Sequence, residues 1–234
     1  MKKSSVHKRV AIFDIDGTIF RSSLLIELVE ALVNEGIFPE RSRKIYEPPF
    51  RRWLNRQGTY EEYINAVIEA FMQNLKGVSY EDFERIGLAV VEINKDKVYR
   101  YTRDLVKKLK KRGYFLLAIS QSPKGLLDAF CNRLGFDKIY GRFYELGPSE
   151  KFTGEVVDLH LIANKANIVR RAVAKEKLTL KGSIGVGDTE GDIPMLELVD
   201  TAICFNPNQL LYRYAKMNKW KVVVERKDVI YEMK

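Results

Sequence analysis

The chain has 234 residues, 46% of them hydrophobic, and carries a formal net charge of +9 at pH 7. It can bury a sizeable core, either as one large domain or as a core domain with a smaller insert. No apolar run reaches the length of a membrane span, and residues 1–9 lack the cleavage pattern of a signal peptide. The two cysteines, Cys131 and Cys204, are far apart, which argues against a disulfide framework or a zinc site. We expect a soluble, cytoplasmic protein without a membrane partner.

The excess of positive charge would attract anions such as phosphorylated metabolites or nucleic acid. Lysine and arginine are nevertheless scattered among 31 acidic residues. The clearest basic cluster, residues 107–112, lies on a predicted helix, where a solvated face explains it. A recognition helix and interleaved aromatic and basic residues are both missing. We therefore do not expect nucleic acid as a partner, and the sequence does not indicate an oligomeric state.

The first predicted element is a buried strand that begins at Val10 and runs up to Asp14. Ligands of open α/β sheets bind just beyond the carboxyl ends of the strands, which is where Asp14, Asp16 and Gly17 would lie. Carboxylates two residues apart point to the same side of an extended chain. They can coexist if a hard cation neutralises them or if one keeps its proton as a general acid. From these residues alone, a simple Asp-Gly turn after the strand is the favoured interpretation.

The next stretch, residues 22–97, is predicted to consist of helices without a strand. Apolar residues repeat at helical intervals along most of it, and residues 39–58 form a basic and aromatic region that Pro48-Pro49 is expected to break. Helices are predicted to follow three capping positions, namely Ser22 or Ser23, Thr59 and Ser79. This stretch is expected to be a self-contained helical insert.

From residue 98 onward, predicted helices alternate with predicted strands. The strands are expected at residues 114–119, 138–144, 182–186, 201–205 and 222–224, with a hairpin or irregular excursion over residues 145–161. Such alternation indicates a parallel sheet with helices on both faces. We predict an α/β protein with a Rossmann-like, three-layer core formed by residues 1–21 and 98–234, and residues 22–97 as the inserted α-helical domain.

Polar residues suited to one chemical task follow three of these strands. The parallel arrangement would bring them to a single edge of the sheet, where carboxylates can hold a small, oxygen-preferring cation such as Mg²⁺. A serine and a lysine nearby would suit the outer oxygens of a phosphoryl group. The residues concerned are Asp14, Asp16, Ser120, Lys165, Asp188 and Asp192. Each also has a plain structural interpretation, as a turn or cap residue or a solvated lysine, but together and in this order they predict phosphoryl transfer.

The set resembles the motifs of the haloacid dehalogenase superfamily of phosphohydrolases, in subfamily IB, the branch that includes phosphoserine phosphatases. The family's Asp-x-Asp-x-Thr motif is matched by residues 14–18, and its Gly-Asp-x-x-x-Asp motif by residues 187–192. Ser120 and Lys165 match its second and third motifs, with Lys151 and Lys175 as alternatives for the lysine. Phe152-Thr153-Gly154 is similar to a segment common in the branch, and residues 22–97 resemble the family's inserted cap of the C1 type.

The resemblance implies a magnesium-dependent phosphatase that acts on a small phosphorylated metabolite. Asp14 would form an aspartyl phosphate, and Asp16 would protonate the leaving oxygen and later activate water. Asp14, Asp188 and the carbonyl of Asp16 would hold Mg²⁺, and Asp192 would orient a bound water or Lys165. The phosphoryl group and substrate would be bound by Gly17, Thr18, Ser120, Gln121 and Lys165. His7 and His160 are expected to be structural, and both cysteines to be core residues.

The substrate is less well indicated. Ser23 stands where the phosphoserine phosphatases have a glutamate that helps to hold the substrate amine, and Gly191 stands where they have an asparagine. Both departures argue against phosphoserine as the substrate. A contact from Glu27 or Glu30 to an amine is an alternative that the sequence does not support. The segment Arg41 to Arg56, which includes Arg51, Arg52, Trp53 and Arg56, could offer cationic contacts to a second anionic group, although a solvated basic helix face explains this segment better.

Three rival functions use similar residues. A phosphotransferase or phosphomutase of the same superfamily would keep every motif and differ only in the acceptor. A phosphoacceptor signalling domain, such as a response-regulator receiver, is disfavoured because it has no large helical insert after its first strand. A true dehalogenase is disfavoured because Asp16 would have no oxygen leaving group to protonate.

Overall fold

The structure is a computed structural model that describes residues 7–157 and 164–233. These residues contain one eight-stranded sheet in the order β4-β3-β2-β1-β5-β6-β7-β8. The six inner strands pair in parallel, and β4 and β8 are added antiparallel at the two edges. The strands are β1 (Lys8–Phe13), β2 (Phe115–Pro123), β3 (Lys138–Leu146), β4 (Phe152–Val157), β5 (Leu178–Gly187), β6 (Thr201–Phe205), β7 (Lys221–Arg226) and β8 (Val229–Met233). The predicted α/β class is confirmed.

Helices connect the parallel strands and cover both faces of the sheet. Within the described residues they are α1 (Leu24–Asn34), α2 (Arg43–Leu54), α3 (Tyr60–Leu75), α4 (Tyr80–Asn94), α5 (Arg100–Lys111), α6 (Lys124–Leu134), α7 (Lys165–Lys175), α8 (Ile193–Leu196) and α9 (Gln209–Met217). Two single-turn 3₁₀ helices, Glu40–Ser42 and Glu190–Asp192, precede α2 and α8.

The alternation of side chains along β1 divides the hydrophobic core into two layers. Ala11 and Phe13 pack into the layer formed with helices α1 to α6, whereas Val10 and Ile12 pack into the layer formed with α7 to α9. All four side chains are fully buried. The sheet is thus enclosed on both faces, as the uninterrupted apolar run of this strand predicts.

Residues 22–97 contain the four α-helices α1 to α4 in sequence, and the helical character predicted for this stretch is confirmed. Thr59 and Ser79 cap α3 and α4, because their hydroxyl oxygens accept hydrogen bonds from the backbone N–H of Glu62 and Asp82. Helix α1 packs against α4, and α2 packs against α3. The prediction that Pro48-Pro49 breaks this region is wrong, because both prolines lie inside α2.

Helix α2 continues through its prolines because its far end is anchored by aromatic packing. Proline removes an intrahelical hydrogen bond and opposes a helix interior. Phe50 lies 5.0 Å from Tyr63 between ring centroids, and Trp53 stacks on Tyr63 at 5.8 Å with an interplanar angle of 15°. This burial of aromatic surface against α3 outweighs the local preference.

Several predicted boundaries differ from the structure. Strand β2 continues through Ser120 to Pro123, which pairs with Arg142 of β3 after an irregularity in the register that follows Ile119. Pro123 keeps an extended backbone and occupies the N-cap position of α6. The helix therefore begins at Lys124 and not at Pro123, although proline is common at the first position of a helix. Helix α8 has only four residues, and β8 was not predicted.

Both cysteines are buried and unpaired, which confirms that they are core residues. The basic residues of α5 from Lys107 to Lys111 are exposed on one face, with Leu109 buried on the other, as expected for a solvated face. His7 is exposed, and His160 lies outside the described residues. Over the residues that the structure covers, none of the helices combines the length and apolar character needed to cross a membrane.

Candidate active site

The carboxyl ends of the adjacent strands β2, β1 and β5 open into one cavity of about 400 Å³. The cavity is lined by Asp14 and Asp16 after β1, by Gln121 and Ser122 at the end of β2, and by Asp188 after β5. The structure therefore brings together residues more than 100 positions apart in the sequence. This edge of a parallel sheet is where α/β proteins bind ligands.

Lys165 is the first residue of α7, whose cap Asn164 accepts a hydrogen bond from the N–H of Ala166. Its Nζ lies 2.5 Å from Asp14 Oδ1 and 2.5 Å from Asp192 Oδ1. Burial lowers the pKa of Lys165, but the two carboxylates outweigh that effect and raise it above its usual value. Lys165 is therefore a permanent cation between two aspartates. The alternatives Lys151 and Lys175 are both exposed.

Asp192 is fully buried and held on both of its oxygens. Oδ1 accepts a hydrogen bond from Lys165, while Oδ2 accepts hydrogen bonds from the backbone N–H groups of Asp188 and Thr189 at 2.9 and 3.1 Å. Thr189 completes a reciprocal capping box with Asp192 at the turn after β5. Asp192 thus fixes both the ammonium group of Lys165 and the backbone that presents Asp188.

Asp14, Asp188 and Asp192 each place one carboxylate oxygen within 4.8 Å of the others. Burial, opposed by Lys165 and assisted by the neighbouring carboxylates, raises the pKa of Asp14 to about 7. Burial and the charge of Asp14 also raise the pKa of Asp188 well above its usual range. The single positive charge of Lys165 does not neutralise the three negative charges of these close carboxylates. Carboxylate oxygens are the ligands that a divalent cation such as Mg²⁺ prefers, so the cluster fits such an ion.

Gly17 and Thr18 determine how closely Asp188 approaches the first strand. The Thr18 hydroxyl donates a hydrogen bond to Asp188 Oδ1 at 3.0 Å, and the Thr18 side chain is fully buried. Gly17 has φ +74°, and a Cβ at this position would lie 2.1 Å from Asp188 Oδ2. A side chain at residue 17 is therefore excluded by both the backbone conformation and the carboxylate.

We expect Gly17→Ala to perturb the carboxylate cluster, and Gly36→Ala to serve as its matched control. Both glycines have a positive φ, but no atom lies within 4 Å of a Cβ at Gly36. Gly36→Ala should cost only the backbone strain of about 1 kcal/mol, measured by denaturant unfolding. Gly17→Ala should cost more and also weaken Mg²⁺ binding, measured by calorimetry. Equal effects of the two variants on both measurements would contradict this account of Gly17.

Asp16 points its side chain to the start of α1 and to the end of β2. Its Oδ1 accepts a hydrogen bond from the N–H of Leu24 at 2.6 Å, and its Oδ2 accepts one from Ser122 Oγ at 2.8 Å and another from Ser120 Oγ. Ser23 occupies the N-cap position of α1 but makes no side-chain cap hydrogen bond. The predicted N-cap position at Ser23 is thus confirmed, but Asp16 and not the serine hydroxyl accepts the hydrogen bond at the start of the helix.

The two serines of β2 differ in their access to the cavity. Ser120 is buried, and its oxygen both donates to Asp16 and accepts from the N–H of Ser122 at 2.9 Å. Ser122 lines the cavity and donates to the same carboxylate. Sequence reasoning singled out Ser120 and missed Ser122. The signal was present, since two serines separated by one residue point to the same side of an extended strand.

The wall of the cavity opposite the sheet edge comes from the helical stretch. Its lining residues on α1 and α3 are Leu25, Tyr60, Glu61, Ile64, Asn65 and Ile68. Burial and the charges of the site carboxylates raise the pKa of the Tyr60 phenol. Sequence reasoning did not identify these lining residues, because helical periodicity does not distinguish a face packed on protein from a face over a cavity.

The basic segment of α2 does not reach the cavity. Arg51 lies 3.9 Å from Glu47, Arg52 lies 3.5 Å from Glu62, and neither lines the site. The two glutamates considered for an amine contact are also engaged elsewhere, with Glu27 paired to Lys97 and Glu30 to Arg43. The solvated-face interpretation of the α2 arginines is thus favoured. Of the departures from the phosphoserine phosphatase pattern, both Ser23 and Gly191 line the cavity.

The sequence profile of the haloacid dehalogenase-like hydrolases matches residues 11–197 of this chain. The chain belongs to the haloacid dehalogenase-like hydrolase family. The match begins within β1 and ends just beyond α8, so it includes every residue of the carboxylate cluster and Lys165.

Individual relatives agree with this family. A phosphoserine phosphatase of Archaeoglobus fulgidus is 26% identical and aligns with 87% of this chain and 54% of its own, so this chain spans about half of that protein. A phosphoserine phosphatase of Mycobacterium tuberculosis is 27% identical over 91% of this chain and 69% of its own. A substrate-bound phosphoserine phosphatase structure superposes with a TM-score of 0.62 at 20% identity and 94% coverage of both chains.

These comparisons confirm the resemblance to the phosphoserine phosphatase branch of the haloacid dehalogenase-like hydrolases and the predicted Rossmann-like fold of that family. They also confirm that the protein is an enzyme with phosphohydrolase function.

Proposed function

We propose that this haloacid dehalogenase-like hydrolase is a magnesium-dependent phosphomonoesterase that acts on a small phosphorylated metabolite through an aspartyl phosphate on Asp14. The observation that supports this most directly is the position of Asp14. Its carboxylate lies at the carboxyl end of β1, lines the cavity, and is bound through Oδ1 to the ammonium group of Lys165. The second oxygen, Oδ2, is the one assigned to attack.

The proposed reaction divides the displacement at phosphorus into two steps. First, Asp14 Oδ2 forms a bond to phosphorus while the bond from phosphorus to the leaving oxygen breaks, and Asp16 gives its proton to that oxygen. Second, water attacks phosphorus, the bond to Asp14 breaks, and Asp16 takes the proton from the water. Asp16 thus ends the cycle protonated, and the products are an alcohol and inorganic phosphate.

The hydrogen bonds of Asp16 suit this double task. Three donors, the N–H of Leu24 and the hydroxyls of Ser120 and Ser122, hold the carboxylate in place. A hydroxyl group both donates and accepts, so the two serines can hold Asp16 in either protonation state. Ser120 therefore acts in this proposal as a positioning residue for Asp16, and Gln121 and Ser122 are the residues of β2 that face the substrate.

The proposed metal ligands are the carboxylates of Asp14 and Asp188 and the backbone carbonyl of Asp16. When bound, Mg²⁺ would supply positive charge that lets an anionic nucleophile approach an anionic phosphate ester. Asp192 and Thr18 hold Lys165 and Asp188 in position, and Lys165 also offers charge to the outer phosphoryl oxygens.

We further propose that residues 22–97 form a cap that closes the site from above, with residues 1–21 and 98–234 as the core domain. The lining of the cavity by α1 and α3 supports this arrangement. The reducing cytoplasm is the proposed compartment, because both cysteines are buried thiols without a partner cysteine.

A screen of phosphate monoesters with and without Mg²⁺ tests the proposed function. We expect phosphate release that requires Mg²⁺ and stops on chelation. Asp188→Asn should lower the apparent affinity for Mg²⁺ by about 10-fold or more, because the variant loses a charged ligand while keeping its shape. Full activity in the chelated enzyme, or unchanged metal dependence in Asp188→Asn, would contradict the assignment of the metal site.

A further inference from the structure

Arg142 is a cationic side chain of the cavity that the proposed reaction leaves unused. It lies on β3, next to the end of β2, and its half-buried side chain lines the cavity together with Asp14, Asp16 and Lys165. Sequence reasoning sought a cation for a second anionic group on α2, whereas the structure supplies one from the sheet. Arg142 lies beside the cavity because it pairs with Pro123 at the end of β2.

The partners of Arg142 are neutral groups. Its Nε donates a hydrogen bond to Gln121 Oε1 at 2.9 Å, and its Nη2 donates to the same oxygen. Among the described residues, no carboxylate forms an ion pair with Arg142, in contrast to Lys165, which is paired with Asp14 and Asp192. Gln121 thus fixes the orientation of the guanidinium group without neutralising it, and a partly buried cation of this kind favours an anionic partner.

The surroundings of Arg142 strengthen such an interaction. The side chain also lines a second cavity of about 350 Å³, whose walls include Phe83, Leu126 and Phe152. Apolar walls on one side lower the local dielectric constant and increase the attraction between opposite charges. Burial raises the pKa of the Tyr144 phenol, and a hydrogen bond from Arg142 opposes this rise. Gln121 and Tyr144 do not exhaust the five N–H donors of a guanidinium group.

We propose that Arg142, oriented by Gln121, selects phosphate esters whose leaving group carries a second anionic group, with a carboxylate as the best match. This inference rests on the proposed function, because the phosphoryl group is assigned to Asp14 and Lys165. Gln121 follows Ser120, which donates to the general acid Asp16, so the cation is anchored beside the residue assigned to the leaving oxygen. A planar guanidinium group binds the two oxygens of a carboxylate side by side.

Two pairs of substrates isolate this contact. O-phosphoserine carries one carboxylate more than phosphoethanolamine. In the second pair, which contains no amine, 3-phosphoglycerate has a carboxylate where glycerol 3-phosphate has a neutral hydroxymethyl group. We expect the wild-type enzyme to have a kcat/KM at least about 10-fold higher for the carboxylate member of each pair, as one charge-assisted hydrogen-bonded contact allows. Arg142→Gln should remove this preference, chiefly through KM, and leave kcat/KM for the partner without a carboxylate within about 3-fold.

Two further variants separate the charge from the shape of the site. Gln121→Glu is nearly isosteric and places a carboxylate against the guanidinium group, so it should reduce the preference although Arg142 is intact. Arg51→Gln removes an arginine of α2 that pairs with Glu47 outside the cavity, and it should leave the preference unchanged. Loss of the preference in Arg51→Gln would transfer the role to α2 and overturn the assignment.

Binding measured without turnover keeps this inference separate from the proposed function. In the Asp14→Asn background with Mg²⁺, Arg142→Gln should weaken the binding of O-phosphoserine by about 10-fold or more and leave that of phosphoethanolamine unchanged by calorimetry. Equal weakening for both ligands would mean that Arg142 holds the phosphoryl group, and no weakening would mean that it holds neither; both results overturn the inference. A wild-type enzyme that hydrolyses none of the four esters would count against the proposed function, while the binding comparison still decides the role of Arg142.

Discussion

Asp14→Asn is expected to reduce magnesium-dependent phosphate release by at least about 1,000-fold, because the substitution removes the attacking oxygen of the proposed covalent step. The amide oxygen of asparagine can still accept the hydrogen bond that Asp14 Oδ1 receives from Lys165. The fold and the substrate cavity should therefore persist, so that kcat falls while substrate binding is kept. The measurement is phosphate release under saturating substrate, together with calorimetric binding of the same ester.

The control for this variant is an aspartate of similar chemistry outside the site. Asp104 is exposed and pairs with Arg103 at 2.8 Å. Asp104→Asn should leave kcat within about 2-fold, since exposed ion pairs contribute little. Undiminished phosphate release by Asp14→Asn would exclude Asp14 as the nucleophile, whatever the control does.

Asp16→Asn is expected to slow the hydrolysis of alkyl phosphates by about 100- to 10,000-fold, the usual contribution of a positioned acid or base. Asparagine keeps an acceptor for the N–H of Leu24 but cannot give a proton to an alkoxide. An aryl phosphate with a good leaving group does not need that proton. With such a substrate the first step should therefore remain fast in Asp16→Asn, while the second step, which needs the base, becomes slow.

The comparison of alkyl with aryl phosphates is the control for the role of Asp16 as the leaving-group acid. Rapid-mixing measurements with p-nitrophenyl phosphate should show a burst of about one nitrophenolate per active site, followed by slow turnover. Ser122→Ala, which removes one donor to Asp16, should lower kcat less than Asp16→Asn does. Equal losses for alkyl and aryl esters with no burst would show that the leaving-group acid is another residue.

Sequence reasoning could locate those site residues that lie at the end of a strand or at the start of a helix. Asp14 follows an apolar strand, Asp188 follows another, and Lys165 begins a helix after a clear capping asparagine. Parallel strands then bring these termini to one edge without any knowledge of side-chain packing. The assembly of this cluster in the structure agrees with that simple topological rule.

The Arg142 contact could not be obtained in this way. It depends on the register between β2 and β3, which shifts after Ile119 and so brings Pro123 opposite Arg142. Four positions of β2, from Ile119 to Pro123, correspond to two positions of β3, from Tyr140 to Arg142, so β2 contains two extra residues at this point. Sequence periodicity does not reveal such an irregularity, and nothing near Gln121 in the sequence marks it as the partner of a residue 21 positions away.

The continuity of helix α2 and the helical wall of the cavity are two further features that sequence reasoning could not predict. Local rules predict a break at Pro48-Pro49, but the rings of Phe50 and Trp53 pack on α3 and keep the helix continuous. Tyr60 and Asn65 carry the ordinary signature of a helix, and only the tertiary arrangement turns them toward the carboxylates. Both features arise from contacts between elements and therefore lie beyond propensity and periodicity.

The most direct test of the central claim is to trap the phosphorylated enzyme. Asp16→Asn is mixed with p-nitrophenyl phosphate and Mg²⁺, quenched with acid during the burst, and analysed by mass spectrometry of the intact protein and its peptides. We expect the protein to gain the mass of one phosphoryl group, with this group located on Asp14. A burst without an adduct, or an adduct on any residue other than Asp14, would contradict it.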